Sequence, residues 1–200
     1  MKPISLSQNK LAKRLIMGIA IVGLGASGVY VARQSHVFAD DSDGVVVTND
    51  DATNATSGAI STAQIASQAF ERINDALDKG TKLSQDDLDE LTYTMYQYAK
   101  TPYQFVSEDA DDSLLPAESG FEKLKTLYEQ SGLEVPFTRV TDNNGDITYT
   151  FNRTIKKPDS WDKTAKKADK AADKAAETIV NDSSKTVEID DGKVTVIEGD

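Results

Sequence analysis

Ser61-Thr-Ala-Gln-Ile-Ala-Ser-Gln-Ala-Phe-Glu-Arg-Ile-Asn-Asp-Ala-Leu-Asp-Lys-Gly80 repeats its apolar residues at helical steps. Ile65, Ala69, Phe70, Ile73, Ala76 and Leu77 recur every three or four positions, so they share one face. Ser61 and Gln64 fit a capping box, which predicts a helix start at Ser61. Gly80 supplies the stop. Two more helices follow on the same logic. Ser84 caps the second, with Asp86 and Asp87 in its first turn. Leu88, Leu91, Met95 and Tyr98 are its buried stripe, and Thr101-Pro102 ends it. The third starts near Pro116 or Ala117 and runs to Ser131, with Phe121, Leu124, Leu127 and Tyr128 inward and Gly132 as its stop. The loop between the second and third has an acidic centre, residues 107–113.

A β-hairpin comes next. Residues 134–142 and 146–154 flank Asn143-Asn144-Gly145, and Asn-Gly is the strongest short hairpin signal. With Asn144-Gly145 as a two-residue turn, Val140 faces Tyr149, Thr138 faces Phe151 and Asp142 faces Ile147. Residues 61–155 therefore read as a small three-helix core with a hairpin. That order of elements is the order found in winged-helix domains, an analogy of order alone.

Lys156-Lys-Pro-Asp-Ser160 breaks the pattern. Residues 156–184 are rich in Ala, Lys and Asp. Trp161, Ala165, Ala168, Ala172, Ala176 and Ile179 line one side of a helix. The repeats Lys166–Asp169, Lys170–Asp173 and Lys174–Glu177 each set Lys three residues before an acid, a mild helix-stabilising spacing. The composition is similar to that of desiccation-type helices. Its apolar side is Ala, without the Leu or Phe that insertion into a membrane surface needs. Residues 185–200 form a second hairpin on an Asp191-Gly192 turn. It pairs Ile189 with Val194, Val187 with Val196 and Lys185 with Glu198. A lone hairpin is marginal in water. Its apolar face is expected to meet Val45-Val46-Val47, the core, or a partner chain by self-association. The fold class is α+β.

Upstream, residues 40–60 are polar, acidic and rich in Asn and Thr, and read as a disordered spacer. Ahead of them stands Leu15–Ala32, LIMGIAIVGLGASGVYVA, uncharged and preceded by Lys2, Lys10, Lys13 and Arg14. A basic start, an apolar middle and a small-residue exit make a secretory signal peptide. Val37 and Ala39 occupy the two small-residue positions, which sets cleavage between Ala39 and Asp40. Residues 1–39 are thus expected to be a signal peptide. The competing reading is an uncleaved anchor, since about 18 apolar residues are the lower edge of a bilayer span. In either case the basic flank stays inside the cell. The long basic start and the Val-Phe-Ala-Asp exit resemble Gram-positive export signals, a resemblance confined to the first 40 residues.

The charge agrees with export. The whole chain carries a formal −11, and losing the five basic residues Lys2, Lys10, Lys13, Arg14 and Arg33 takes it to −16. Such a chain is repelled by nucleic acid and anionic membranes, so neither is expected as a partner. Membrane contact is expected only through residues 15–32, if uncleaved. The chain has no Cys, and its single His is His36. Downstream of Ala39 no thiol nucleophile or imidazole base remains, which excludes Ser-His-Asp and Cys-His hydrolases and His- or Cys-ligated zinc enzymes. No cofactor, metal or catalytic residue is assigned.

Asp142, Asn144 and Asp146 have the spacing of a calcium loop, but Ile147 and Arg153 stand where Gly and a bidentate acid belong. They read as a polar turn. Asp40/Asp41/Asp43, Asp86/Asp87/Asp89/Glu90 and Asp109/Asp111/Asp112 read as solvated or helix N-terminal charge. Leu115-Pro-Ala-Glu118 resembles a sortase motif, with Glu118 in place of Thr, and reads as a helix start. Tyr93, Tyr96 and Lys100 share the face of helix two away from its stripe, followed by Tyr103 and Phe105. Exposed aromatics beside charge suit recognition. Trp161 is either a sugar-stacking handle or the anchor of the Ala-rich helix. The leading expectation is a secreted, non-catalytic binding or accessory protein with an extracellular or cell-wall partner. The alternatives are a carboxylate-dependent glycosidase and an anchored stalk.

Overall fold

The computed structural model describes residues 1–6, 19–25, 28–33, 49–100, 116–145, 147–182, 184–190 and 192–198. In chain order these form β1 (Ile4–Leu6), β2 (Ile19–Gly25), β3 (Gly28–Arg33), α1 (Asn49–Asp78), α2 (Gln85–Lys100) and α3 (Pro116–Ser131). They continue with β4 (Phe137–Thr141), β5 (Ile147–Phe151), α4 (Trp161–Asn181), β6 (Lys185–Asp190) and β7 (Lys193–Glu198). The class is α+β. Among the described residues the strands make two antiparallel sheets, ordered β1-β5-β4 and β2-β3-β6-β7.

Helices α1, α2 and α3 surround the core. Ile60, Ile73, Leu88, Leu91, Met95, Phe121, Leu124, Leu127 and Tyr128 are essentially inaccessible. Both stops follow one geometry. Gly80 and Gly132 sit at φ 61° and 72°, where a side chain is strained. The next residue then donates back into the helix, Thr81 to the Ala76 carbonyl at 2.9 Å and Leu133 to that of Tyr128 at 2.9 Å. Ser84 caps α2 as expected, its Oγ accepting from the Asp87 N–H at 3.2 Å.

The start of α1 corrects the sequence reading. The helix begins at Asn49, not Ser61. Residues 49–60 of the expected disordered spacer are helical, and Ala59 and Ile60 are fully buried. The reason is tertiary. The Ala-lined face of α4 lies along α1, with Ala168, Ala172, Ala175, Ala176 and Ile179 buried. Ser61 does not cap. Its hydroxyl donates to Asp169 Oδ1 at 2.6 Å, and that of Ser57 to Asp173 Oδ1 at 2.5 Å. The acids of the Lys/acid repeat thus serve the neighbouring helix. The rest of the spacer, 40–48, lies outside the described residues, as do Val45–Val47.

The first hairpin is shifted by one residue from the expected register. Arg139, not Val140, stands opposite Tyr149, and Phe137 stands opposite Phe151. The ladder closes at Thr141 opposite Ile147, so the connection is longer than a two-residue turn. Asp142 Oδ1 accepts from the Asn144 N–H at 2.8 Å, and the Asp142 carbonyl accepts from Gly145 at 3.1 Å. A one-residue slip exchanges the faces of a strand. Here it sends Phe137 inward, edge-on to Phe121 at 5.2 Å between ring centres, and leaves Val140 51% exposed. Burying a ring outweighs burying Val, because it removes more apolar area from water.

The C-terminal hairpin has the expected register, Lys185 opposite Glu198 and Asp190 opposite Lys193. Lys185 and Glu198 also form an ion pair. Val187 and Ile189 are fully buried in the core cluster. Among the described residues this face meets the core, one of the neighbours expected for it. Gln64 Nε2 of α1 fastens the turn by donating to the Gly192 carbonyl at 2.6 Å.

The apolar run Leu15–Ala32 is described at 19–25 and 28–32, and there it is strand. Strand β3 pairs with β6, Val29 opposite Ile189 and Val31 opposite Val187. Strand β1 pairs with β5, Ile4 opposite Tyr149. Among the described residues no helix is long and apolar enough to cross a membrane.

Candidate functional site

Three helices meet at an open cleft of about 230 Å³. Ile65, Ala69 and Arg72 reach it from α1, Glu90, Leu91 and Thr94 from α2, and Trp161 and Thr164 from α4. The meeting follows from the sequence of each part. Pro158-Asp-Ser160 turns the chain, the Trp161 N–H donates to the Pro158 carbonyl at 3.0 Å, and α4 starts with its indole against α2. There Tyr93 meets Trp161 edge to face, with ring centres 5.0 Å apart and planes at 76°. Both residues are half-buried.

Arg72 supplies the polar wall. Its guanidinium lies 3.4 Å from Glu90 Oε1 and 3.6 Å from Asp87 Oδ1, with all three side chains over 40% exposed. Exposed pairs at such lengths contribute little, about 0–1 kcal/mol. The fork of N–H donors therefore gives them up readily for a better acceptor, a carboxylate or a sugar hydroxyl. An indole face, two aliphatic side chains and a guanidinium suit one sugar ring or one peptide side chain. The volume lies below the range of cofactor pockets. Glu90 is the one carboxylate among the lining residues named above.

The other expected surface residues fall elsewhere. Tyr96 is buried, contrary to its expected exposure, with its ring edge-on to Phe151 at 5.6 Å. Lys100 is exposed, its ammonium 5.2 Å from the centre of the Tyr96 ring. Tyr93 and Trp161 are thus brought together, and Tyr96 and Lys100 form a separate pair that closes the core. Tyr103, Phe105, Ala39 and Asp40 lie outside the described residues, as does Asp146 of the calcium-like spacing. Among the described residues no cluster of three or more acids or His is placed to hold a metal ion.

Two arginine–carboxylate sites were not singled out from sequence. Arg153 donates to both oxygens of Asp89, at 2.7 and 2.5 Å, and the Tyr128 hydroxyl donates to Asp89 Oδ1 at 2.8 Å. Burial pushes the Asp89 carboxyl up, but the hydrogen bonds from Arg153, Tyr128 and Gln85 together hold it below the usual carboxylate range. Burial above all raises the Tyr128 hydroxyl; the Thr92 hydrogen bond opposes this and the Asp89 carboxylate adds to it. Glu118, 1% exposed, accepts two bonds from Arg139, at 3.0 and 2.6 Å. Its second oxygen is buried without a hydrogen-bond partner among the described residues. Both sites tie the hairpin to a helix. The sequence signal was present in one case: Arg153 is the residue that breaks the calcium spacing.

Comparison with protein-family models, with curated proteins and with solved structures finds no match.

Proposed function

We propose that the chain is an exported, non-catalytic binding or accessory protein working outside the cell, and that the cleft walled by Trp161 and Arg72, with Tyr93 against the indole, is its recognition surface. The observation that carries the reading is the half-buried aromatic pair beside the loosely paired Arg72 guanidinium. Such a set binds through stacking and hydrogen bonds and needs no nucleophile. The export half rests on Lys2 to Ala39, on the net charge of −16 that their removal leaves, and on the absence of Cys and of any His beyond His36. The ligand class that fits is a wall sugar or an extended peptide presenting one side chain.

Trp161 is the only Trp in the chain, so it reports on its own cleft. Its fluorescence is titrated with solubilised wall polysaccharide and, separately, with wall peptides. One of the two is expected to shift the emission saturably. Trp161→Ala and Arg72→Ala are expected to lower retention of the protein on wall fragments by tenfold or more. Retention unchanged in both variants would remove the cleft from the reading.

A further inference from the structure

Strand β5 has β4 on one side, and its other edge is closed by residues 4–6. The pairing is regular: Ile4 opposite Tyr149, Ser5 opposite Thr148 and Leu6 opposite Ile147. Residues opposite one another share a face. Ile4 therefore enters the face that Tyr149 and Ile147 turn to the core, and it is 6% exposed there. It belongs to the same core cluster as Leu91, Met95 and Tyr98 of α2, and Met1 packs against that cluster. The edge thus has a built side-chain site as well as a ladder of backbone donors and acceptors.

The opposite edge of this sheet differs. Thr138, Arg139, Val140 and Thr141 of β4 are exposed, and Arg139 there is the kind of charge that blunts an edge against pairing. Strand β5 carries no charge; Thr148 and Thr150 alternate with the buried Ile147 and Tyr149. The second sheet repeats the arrangement, since β6 is closed by β3. Both closing strands lie ahead of Ala39, where the export reading places the cut.

We propose that the free edge of β5 is a strand-acceptor site for an extended apolar–polar–apolar segment of a partner protein. Residues 4–6 fill it while they are attached, and their removal opens it. The proposal rests on the export reading of residues 1–39. Its physical basis is tethering. Three residues with one buried side chain bind weakly alone, but attachment supplies an effective concentration of about a millimolar, enough to keep a weak site filled. Cutting the chain abolishes that advantage. The exposed edge then takes up another strand, with main-chain hydrogen bonds for affinity and the Ile4 site for selectivity.

The full-length chain provides the test. Ile4→Asp places a charge in the apolar site and is expected to release β1. Amide hydrogen exchange across 147–151 should then quicken at least tenfold, with the helical circular dichroism retained. Millimolar Met-Lys-Pro-Ile-Ser-Leu-Ser, residues 1–7 as a free peptide, should restore protection, and the same peptide carrying Ile4→Asp should not. If Ile4→Asp unfolds the helices, Ser5→Pro replaces it, since proline in the middle of a short strand disfavours pairing while Ile4 is kept. Unchanged exchange in the variant chain would overturn the proposal, as would equal protection by the two peptides. The mass of protein recovered from the medium tests export separately. A chain still beginning at Met1 would sink the export reading and the opening of the edge, whatever the exchange data show.

Discussion

At the scale of single residues, the polar contacts that matter are those that fasten β-structure to helix. Asp89 is the clearest. Its carboxyl is held below its usual range, so the folded state prefers it ionised. A depressed carboxylate contributes stability above its unfolded pKa, and the contribution is lost as pH falls through the folded value. Stability is therefore expected to drop below about pH 4. Asp89→Asn is expected to remove part of that acid sensitivity and to lower stability at neutral pH by about 1–3 kcal/mol. Urea unfolding at pH 7 and pH 3 for both chains checks it; parallel losses would show that Asp89 is not responsible. Gly120 is a second residue with a defined consequence. It lies inside α3, where Gly weakens a helix by about 1 kcal/mol against Ala. A Cβ there would run into Met95 Sδ and sit 3.3 Å from Phe70. Gly120→Ala is expected to destabilise by about 1–3 kcal/mol through overpacking, despite its better propensity. Thermal melts decide it, and a higher melting temperature would mean that Met95 yields.

At the scale of elements, α1 and α4 make the most extensive contact among the described residues. Their apolar faces are largely Ala, which bury little area per residue but let two helix axes approach. The approach brings Ser57 and Ser61 to within 2.6 Å of the α4 carboxylates. Replacing both serines by Ala is expected to remove about 1–2 kcal/mol in all. The loss should appear first as faster exchange in 49–60, the part of α1 that the sequence reading left unstructured. Protection there equal to that of 65–77 would show that the serine contacts are incidental. Ala172→Leu tests the spacing itself, since a larger side chain at a fully buried Ala forces the axes apart; a loss of about 1–3 kcal/mol is expected. An unchanged melting curve would mean that the pair is loosely packed.

At the scale of the whole molecule, the two sheets are joined to one helical core by different means. The β4–β5 hairpin contributes a ring cluster of Phe137, Tyr149 and Phe151 around Phe121. The β6–β7 hairpin contributes Val187 and Ile189, with Gln64 clamping its turn. Truncation after Asp182 removes two fully buried side chains, about 1.5–3 kcal/mol each. The melting temperature of the remaining chain should fall by roughly 10 °C. A melting temperature unchanged by the truncation would show that the hairpin is an appendage. A fall in solution mass beyond that of the deleted residues would show instead that it joins two copies.

The element order from α1 onward, the stops at Gly80 and Gly132, the buried stripes of α2 and α3 and the register of the last hairpin are all local properties. Periodicity, capping chemistry and turn residues determine them within a few positions, so they could be read from the chain. The start of α1 could not. Residues 49–60 have the composition of a solvated segment, and only the Ala face and the carboxylates of α4, over a hundred residues away, make them helix. The register of the first hairpin was misread for the same reason. Asn144-Gly145 favours one pairing locally, and the ring cluster around Phe121 favours the other by more. Tyr93 and Trp161 were visible as candidates, but their meeting was not. It depends on where α4 docks, and docking is settled by complementary faces between distant segments, a quantity that no window of sequence contains.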